Sequence, residues 1–77
     1  MKLKIGYLYR DGYGDIYTIT NINVNLPIFN FAAKRINING NIYESTFTIS
    51  GKFRSSKSPF DLIEEIGKIE DYPEYFL

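Results

Sequence analysis

The sequence predicts an α+β domain: a four-stranded antiparallel β-meander with one C-terminal α-helix packed on one face. Three local signals lead to this prediction. Two turn sequences, Asp11-Gly12-Tyr13-Gly14 and Asn39-Gly40, each lie between stretches rich in β-branched and aromatic residues, as in β-hairpins. The third signal, Ser58-Pro59-Phe60-Asp61, is typical of a helix start, with a capping serine and a proline at the first helical position.

The first hairpin is predicted to place Arg10 opposite Asp15 and Tyr9 opposite Ile16. This register pairs opposite charges across the two strands, which stabilises an antiparallel pair. It also gathers apolar side chains on one face, which we expect to be the core face. The predicted core residues from this hairpin are Leu3, Ile5, Tyr7, Tyr9, Ile16, Ile22 and Val24.

The second hairpin is predicted to turn at Asn39-Gly40, because a type I′ turn needs positive φ at both central positions. Pairing outward from this turn sets Ile36 opposite Tyr43 and Arg35 opposite Glu44. Since side chains alternate between faces, a one-residue shift in register would move all of them to the other face. The predicted core residues from this hairpin are Ile28, Ala32, Ile36, Ile38, Tyr43, Phe47 and Ile49.

An alternative concerns residues 27–36, which also fit a short helix. Asn25 would cap such a helix and Pro27 would lie in its first turn. The element order would then be β-β-α-β-α, close to a ferredoxin- or ACT-like arrangement. The sequence leaves both interpretations open.

The 77 residues are expected to form a single domain. We divide it into a sheet at residues 1–54, a connector at 55–58, a helix at 59–70 and a tail at 71–77. The helix would pack on the sheet through an apolar stripe at helical spacing. That stripe consists of Leu62, Ile63, Ile66 and Ile69.

The composition argues against enzyme chemistry. The chain contains no cysteine and no histidine, which removes disulfides, thiolate nucleophiles and the usual general base near neutral pH. We therefore predict no catalytic activity, no cofactor and no metal. No apolar stretch is long enough to span a membrane, and no apolar region follows the basic N-terminus, so we expect a cytoplasmic protein without a membrane partner.

The predicted registers leave large apolar side chains on the uncovered face of the sheet, and a contiguous apolar patch usually marks an interface. We predict a non-catalytic protein-binding module, of the type used as small inhibitors or immunity proteins, that acts through this open face. Its anchors would be Tyr17, Phe29 and Phe31, with Arg10 and Arg35 at the rim. The expected partner is a foreign protein, or a second copy in a weak homodimer. Alternatively, the sheet curls and hides the patch.

A rival prediction is a single-stranded nucleic-acid-binding protein. Aromatic side chains on a sheet, flanked by Lys and Arg, stack bases and hold phosphates in such proteins. The charge distribution agrees in part with this rival: residues 1–57 hold eight Lys or Arg against three acids, whereas residues 58–77 hold one against six.

Overall fold

A computed structural model of the chain describes residues 1–23, 25–36 and 42–75. Within them the chain forms one five-stranded antiparallel sheet with the strand order β4-β3-β2-β1-β5. Two short 3₁₀-helices, Ile69–Asp71 and Pro73–Tyr75, follow the last strand. The strands are β1 (Tyr7–Asp11), β2 (Ile16–Ile22), β3 (Phe31–Ile36), β4 (Ile42–Phe47) and β5 (Leu62–Lys68).

The predicted C-terminal helix at 59–70 is wrong, and so is the α+β fold class, because this segment forms β5 and pairs with β1. The described residues contain no α-helix. Gly67 would cost about 1 kcal/mol inside a helix, and the isoleucines of this segment are β-branched and favour strands. Pairing with β5 also satisfies the edge of β1 that β2 leaves free.

The capping signal before this segment forms a turn. The Asp61 amide donates to the Ser58 carbonyl over 3.0 Å, and the Phe60 amide donates to the Ser58 hydroxyl over 3.1 Å. Both bonds also occur at the first turn of a helix, but here the chain extends directly afterwards into β5.

The alternative helix at residues 27–36 is also wrong, because residues 31–36 form β3. The turn before it is organised by Asn23 rather than Asn25. The side chain of Asn23 accepts a hydrogen bond from the Asn25 amide over 3.0 Å, and its carbonyl accepts one from the Leu26 amide over 3.1 Å.

Both predicted hairpin registers are wrong by one residue. Arg10 lies opposite Ile16 and Tyr9 opposite Tyr17 in the first hairpin. Phe31 lies opposite Phe47 in the second, and Arg35 opposite Tyr43. The Asn39-Gly40 turn lies outside the described residues.

Burial explains these registers. A surface pair such as Arg35 with Glu44 stabilises a protein by less than about 1 kcal/mol, whereas burying one large apolar side chain contributes about 1.5–3 kcal/mol. Tyr17 and Phe31 are only 1% and 6% exposed, so the observed registers bury aromatic side chains at the expense of predicted charge pairs.

The core combines residues from all five strands and from the N-terminal segment. Phe47 and Leu62 come from the two edge strands, so the sheet curves around the cluster. Several predicted core residues are exposed instead, namely Ile5, Ile22, Ile28, Tyr43 and Ile49. The cluster comprises Leu3, Tyr9, Tyr17, Ile19, Phe31, Ala33, Phe47 and Leu62, with Tyr7 and Phe53 packed against it.

The connection between β4 and β5 crosses the concave side of the sheet. Its Gly51 carbonyl accepts from the Leu62 amide over 2.8 Å, and the Ile49 carbonyl accepts from the Leu3 amide over 2.8 Å. Phe53, further along, packs against the core. This connection therefore carries residues 54–61 to the end of the sheet where β1 turns into β2.

Candidate functional site: the two-loop surface

The three predicted aromatic anchors do not form a surface patch. Tyr17 and Phe31 belong to the core, whereas Phe29 is half-buried in the loop before β3. Phe29 lines a cleft of about 350 Å³ together with Leu26, Pro27, Ile28 and Thr46. The observed registers therefore place Tyr17 and Phe31 on the core face, and the predicted open-face anchors do not form one patch.

The two predicted arginines lie at the same end of the sheet, where β1 turns into β2, and both form ion pairs. An Arg10 Nη atom is 3.1 Å from a carboxylate oxygen of Glu64 on β5. An Arg35 Nη atom is 3.6 Å from a carboxylate oxygen of Asp15, and its guanidinium lies 4.7 Å from the centre of the Tyr43 ring. Neither arginine therefore borders Phe29, which lies at the opposite end of β3.

Two loops meet at this end of the sheet. The Gly12 amide of the β1–β2 loop donates to the Pro59 carbonyl of the β4–β5 connection over 2.9 Å. Beside this contact lies a cleft of about 400 Å³ lined by Gly12, Lys57, Ser58, Pro59 and Ile63. We call the exposed and half-buried residues around it the two-loop surface. They are Gly12, Tyr13, Lys52, Arg54, Lys57, Pro59, Phe60 and Ile63.

The β1–β2 loop is held by the buried carboxylate of Asp11. One of its oxygens accepts from the amides of Tyr13 and Asp15 over 2.8 and 3.0 Å. The other accepts from the Tyr17 hydroxyl over 3.0 Å. Burial, and then this hydrogen bond to Asp11, raise the pKa of Tyr17, so its hydroxyl stays protonated and remains a donor. The backbone of Tyr13 is therefore held by the hydrogen bond from its amide to the Asp11 carboxylate.

The connection is held by Asp61 in the same way. Its carboxylate accepts from the amides of Phe53 and Ser58 over 2.9 and 3.1 Å. Partial burial raises the pKa of Asp61, but these two hydrogen bonds together with nearby cations outweigh burial and lower the pKa below its ordinary value. A charged Asp61 thus fixes the segment between residues 53 and 58 at neutral pH.

A series of aromatic contacts runs from the two-loop surface into the core. The ring centres of Tyr13 and Phe60 are 5.1 Å apart, those of Phe60 and Phe53 5.2 Å, and those of Phe53 and Phe47 6.0 Å. Tyr13 is 62% exposed, whereas Phe47 is fully buried. An exposed aromatic side chain is therefore supported from beneath by packed rings.

The two-loop surface is positively charged. The connection carries Lys52, Arg54 and Lys57 and has no acidic residue between positions 48 and 60. Among the side chains that the structure describes, these three cations form no ion pair within 4.0 Å. Lys52 and Arg54 lie close enough to lower the pKa of Asp61. An acidic group placed on this surface would meet an excess of positive charge.

The surface offers packing, charge and hydrogen bonding to a molecule that binds there. In residues 1–23, 25–36 and 42–75, no three acidic side chains converge on a point that could hold a metal ion. Nor does this part of the chain contain a helix long and apolar enough to cross a membrane.

No protein-family model, curated protein or solved structure matches this chain.

Sequence reasoning missed Tyr13, Pro59 and Ile63. The sequence places Tyr13 in a turn, and it places Pro59 and Ile63 in the predicted helix. The apolar stripe of that helix would bury Ile63 against the sheet. A large aromatic residue between two glycines of a tight turn has little to pack against, and that signal points to an exposed side chain. Binding residues are common on loops that a rigid scaffold positions.

Proposed function

We propose that this chain is a small non-catalytic protein-binding module, of the type used as inhibitors or immunity proteins, and that it binds through the two-loop surface. The observation that carries the proposal is the exposed Tyr13, whose backbone amide is hydrogen-bonded to Asp11, beside the cleft lined by Lys57, Pro59 and Ile63. A cytoplasmic location remains an expectation from the sequence.

Rigidity is the first argument for binding at this place. Binding energy is concentrated in a few aromatic and arginine side chains, and ordering a mobile loop on binding costs affinity. Here the buried Asp11 and the charged Asp61 already hold both loops through backbone hydrogen bonds. Tyr13 and Ile63, which are 62% and 65% exposed, therefore offer apolar surface at a low entropic cost.

Charge defines the class of partner. Lys52, Arg54 and Lys57 surround the apolar contacts, so the complementary protein surface presents carboxylates around an apolar anchor. Complementary charge accelerates association and selects among partners more than it adds affinity. We therefore expect association with an acidic protein to slow as the salt concentration rises.

Co-purification from native lysate with matched variants tests this proposal. We expect a protein that is retained by the wild type and lost with Tyr13→Ala and Ile63→Ala. Ile28→Ala is the matched control, because Ile28 is also exposed but lies at the opposite end of the sheet. Loss with Ile28→Ala alone would move the binding site to the cleft around Phe29 and contradict the proposal.

A second function, binding of single-stranded nucleic acid, is favoured by one specific observation. The tilted ring pair of Tyr13 and Phe60 lies in the same surface as Lys52, Arg54 and Lys57. Aromatic faces stack bases and cations hold phosphates, and this combination binds single strands with little sequence preference. The overall charge of zero argues against strong binding of this kind.

Titration with a fluorescent oligonucleotide separates the two functions. Nucleic-acid binding through three cations predicts a slope of about −2 when the logarithm of the binding constant is plotted against that of the salt concentration. Tyr13→Ala should weaken such binding by about 1–3 kcal/mol. An oligonucleotide that does not bind at low salt would eliminate the second function and leave protein binding.

A further inference from the structure

The loop of residues 54–57, within the connection between β4 and β5, is closed by a single carboxylate. One oxygen of Asp61 accepts from the Phe53 amide over 2.9 Å, and the other accepts from the Ser58 amide over 3.1 Å. The two amide nitrogens therefore lie within about 8 Å of each other. An extended chain of the same length would span about 17 Å. Residues 54–57 must therefore bend sharply, and their peptide groups lie close together.

The hydrogen-bond donors of the 54–57 loop have no acceptor in the part of the chain that the structure describes. The loop consists of Arg54, Ser55, Ser56 and Lys57, and all four residues are exposed. Neither their backbone amides nor the two serine hydroxyls donate to another described residue. The two cations form no ion pair there either. One short bend thus presents amide groups, hydroxyls and positive charge together.

The charge of this segment matches a dianion. Lys52 and Arg54 lie near the Asp61 carboxylate, and Lys57 lines the neighbouring cleft. Three cations and the one charged carboxylate of Asp61 give a net charge of +2. Because both oxygens of Asp61 already accept from backbone amides, that carboxylate does not neutralise the cations by direct contact.

We propose that the 54–57 loop binds a phosphate monoester, and that this group is a phosphorylated side chain of the protein that binds the two-loop surface. The identity of the partner rests on the proposed function. A carboxylate has one charge and two oxygens, whereas a phosphate monoester has a charge of about −2 and three acceptor oxygens. The phosphate therefore uses more of the charge and of the donors. A nucleic-acid backbone, with one charge per phosphate, matches the loop less well.

The cleft beside the loop would hold the organic part of the phosphate ester. It has a volume of about 400 Å³, and Lys57 connects it to the loop. Pro59 and Ile63 give it an apolar lining, and Ile63 is 65% exposed. We therefore expect an aromatic phosphate ester to bind more tightly than inorganic phosphate does.

Titration of the full chain, followed by the NMR signals of its amides, tests the site without the partner. The ligands are phenyl phosphate and phenyl sulfate, which share the ring and three terminal oxygens but differ in charge. At about pH 7.5 phenyl phosphate should shift the signals of residues 54–57 and 63 and bind roughly 3- to 10-fold more tightly than phenyl sulfate. At about pH 5 the phosphate loses its second charge, so the two affinities should become equal. The chain has no histidine, the side chain that ordinarily titrates in this range.

Charge-neutralising variants locate the site. Arg54→Gln and Lys57→Gln should each raise the dissociation constant of phenyl phosphate roughly 3- to 10-fold. Lys68→Gln is the matched control, because Lys68 is also exposed but lies at the opposite end of β5. This control should leave the constant unchanged, and circular dichroism would verify that all three variants fold.

Co-purification from two lysates distinguishes this inference from the proposed function. We expect the protein that the wild type retains from native lysate to be lost when the lysate is first treated with a protein phosphatase. Retention of the same protein from the treated lysate would overturn the phosphorylated partner and leave the two-loop surface as its binding site. If the proposed function itself is wrong, no protein is retained from either lysate, whereas the titration with phenyl phosphate is unaffected.

Three results of the titration would overturn the phosphate site. The first is that the signals of residues 54–57 do not shift at phenyl phosphate concentrations up to about 50 mM. The second is that phenyl sulfate binds as tightly as phenyl phosphate at about pH 7.5. The third is that Lys68→Gln weakens binding as much as Lys57→Gln, because the loop would then contribute no more than the overall charge.

Discussion

Replacing Gly12 by alanine should separate the two loops. A Cβ atom at this position would lie 2.8 Å from the Pro59 carbonyl oxygen and 3.3 Å from the Pro59 Cα. A carbon and an oxygen need about 3.3 Å, so the Pro59 backbone must retreat by about 0.5 Å. The hydrogen bond from the Gly12 amide to the same oxygen, now 2.9 Å, would then lie at its geometric limit.

The magnitude follows from three contributions. Losing the hydrogen bond costs about 0.5–1.5 kcal/mol, and forcing an atom into a packed site costs about 1–3 kcal/mol. Alanine also restricts the unfolded chain, which raises the free energy of unfolding by about 0.4–1 kcal/mol. We therefore expect Gly12→Ala to lower the free energy of unfolding by about 1–3 kcal/mol, measured by urea unfolding with tyrosine fluorescence.

Gly14 provides the matched control. Its φ of +88° strains any residue with a side chain, but a Cβ there would meet no atom within 4 Å. Asparagine adopts positive φ more readily than alanine, so Gly14→Asn should recover stability relative to Gly14→Ala, whereas Gly12→Asn should be as harmful as Gly12→Ala. If Gly12→Ala is as stable as the wild type, the two loops do not touch in solution and the two-loop surface does not exist.

Three further predictions test the core, the last strand and the connection. Phe47→Ala should lower the free energy of unfolding by about 3–5 kcal/mol in a chemical denaturation, because the ring is fully buried. Leu62→Ala should lower the free energy of unfolding by about 2–4 kcal/mol and Ile63→Ala by less than about 0.5 kcal/mol, since the two residues are 4% and 65% exposed. Equal losses would indicate that both residues are buried, as on the apolar stripe of the predicted helix. Asp61→Asn should cost about 1–2 kcal/mol at pH 7. Because the pKa of Asp61 is lowered on folding, its contribution is present above the ordinary carboxyl pKa and is lost as the pH falls through the folded value. The difference between wild type and Asp61→Asn should therefore shrink below about pH 4, and a difference that persists in acid would contradict the charged carboxylate.

The first turn and the antiparallel pairing of neighbouring segments were predictable because they depend on local chemistry. Gly14 in the predicted turn adopts a positive φ, a conformation that glycine tolerates. The strand pairs β1–β2 and β3–β4 form antiparallel hairpins, as the alternation of residue types indicates. Both depend on residues close in sequence.

The register was not predictable from the same information. Two registers one residue apart differ in which aromatic rings share a face, and charge pairs at the surface cannot decide between them. Tyr17 is buried because it pairs with Tyr9 and donates to Asp11, a contact across the hairpin and within the core. The energetic advantage of that arrangement appears only when the whole cluster is assembled.

The prediction of a helix in the C-terminal segment was wrong for a related reason. Its apolar residues fit a helical stripe, and Ser58 makes the hydrogen bond to the Phe60 amide that a cap would make. What decides the outcome is the free edge of β1, which is far away in sequence. The candidate site was not predictable for the same reason. Pro59 and Ile63 become exposed neighbours of the β1–β2 loop only when β5 joins the sheet.

Site-specific photo-crosslinking in cells tests the central claim, protein binding through the two-loop surface, most directly. A photoreactive residue would replace Tyr13 or Ile63, and Ile28 as the control at the opposite end of the sheet. The account predicts a discrete crosslinked protein at positions 13 and 63, weakened by Lys57→Glu, and none at position 28. Crosslinks only to nucleic acid, or the same protein at all three positions, would contradict it.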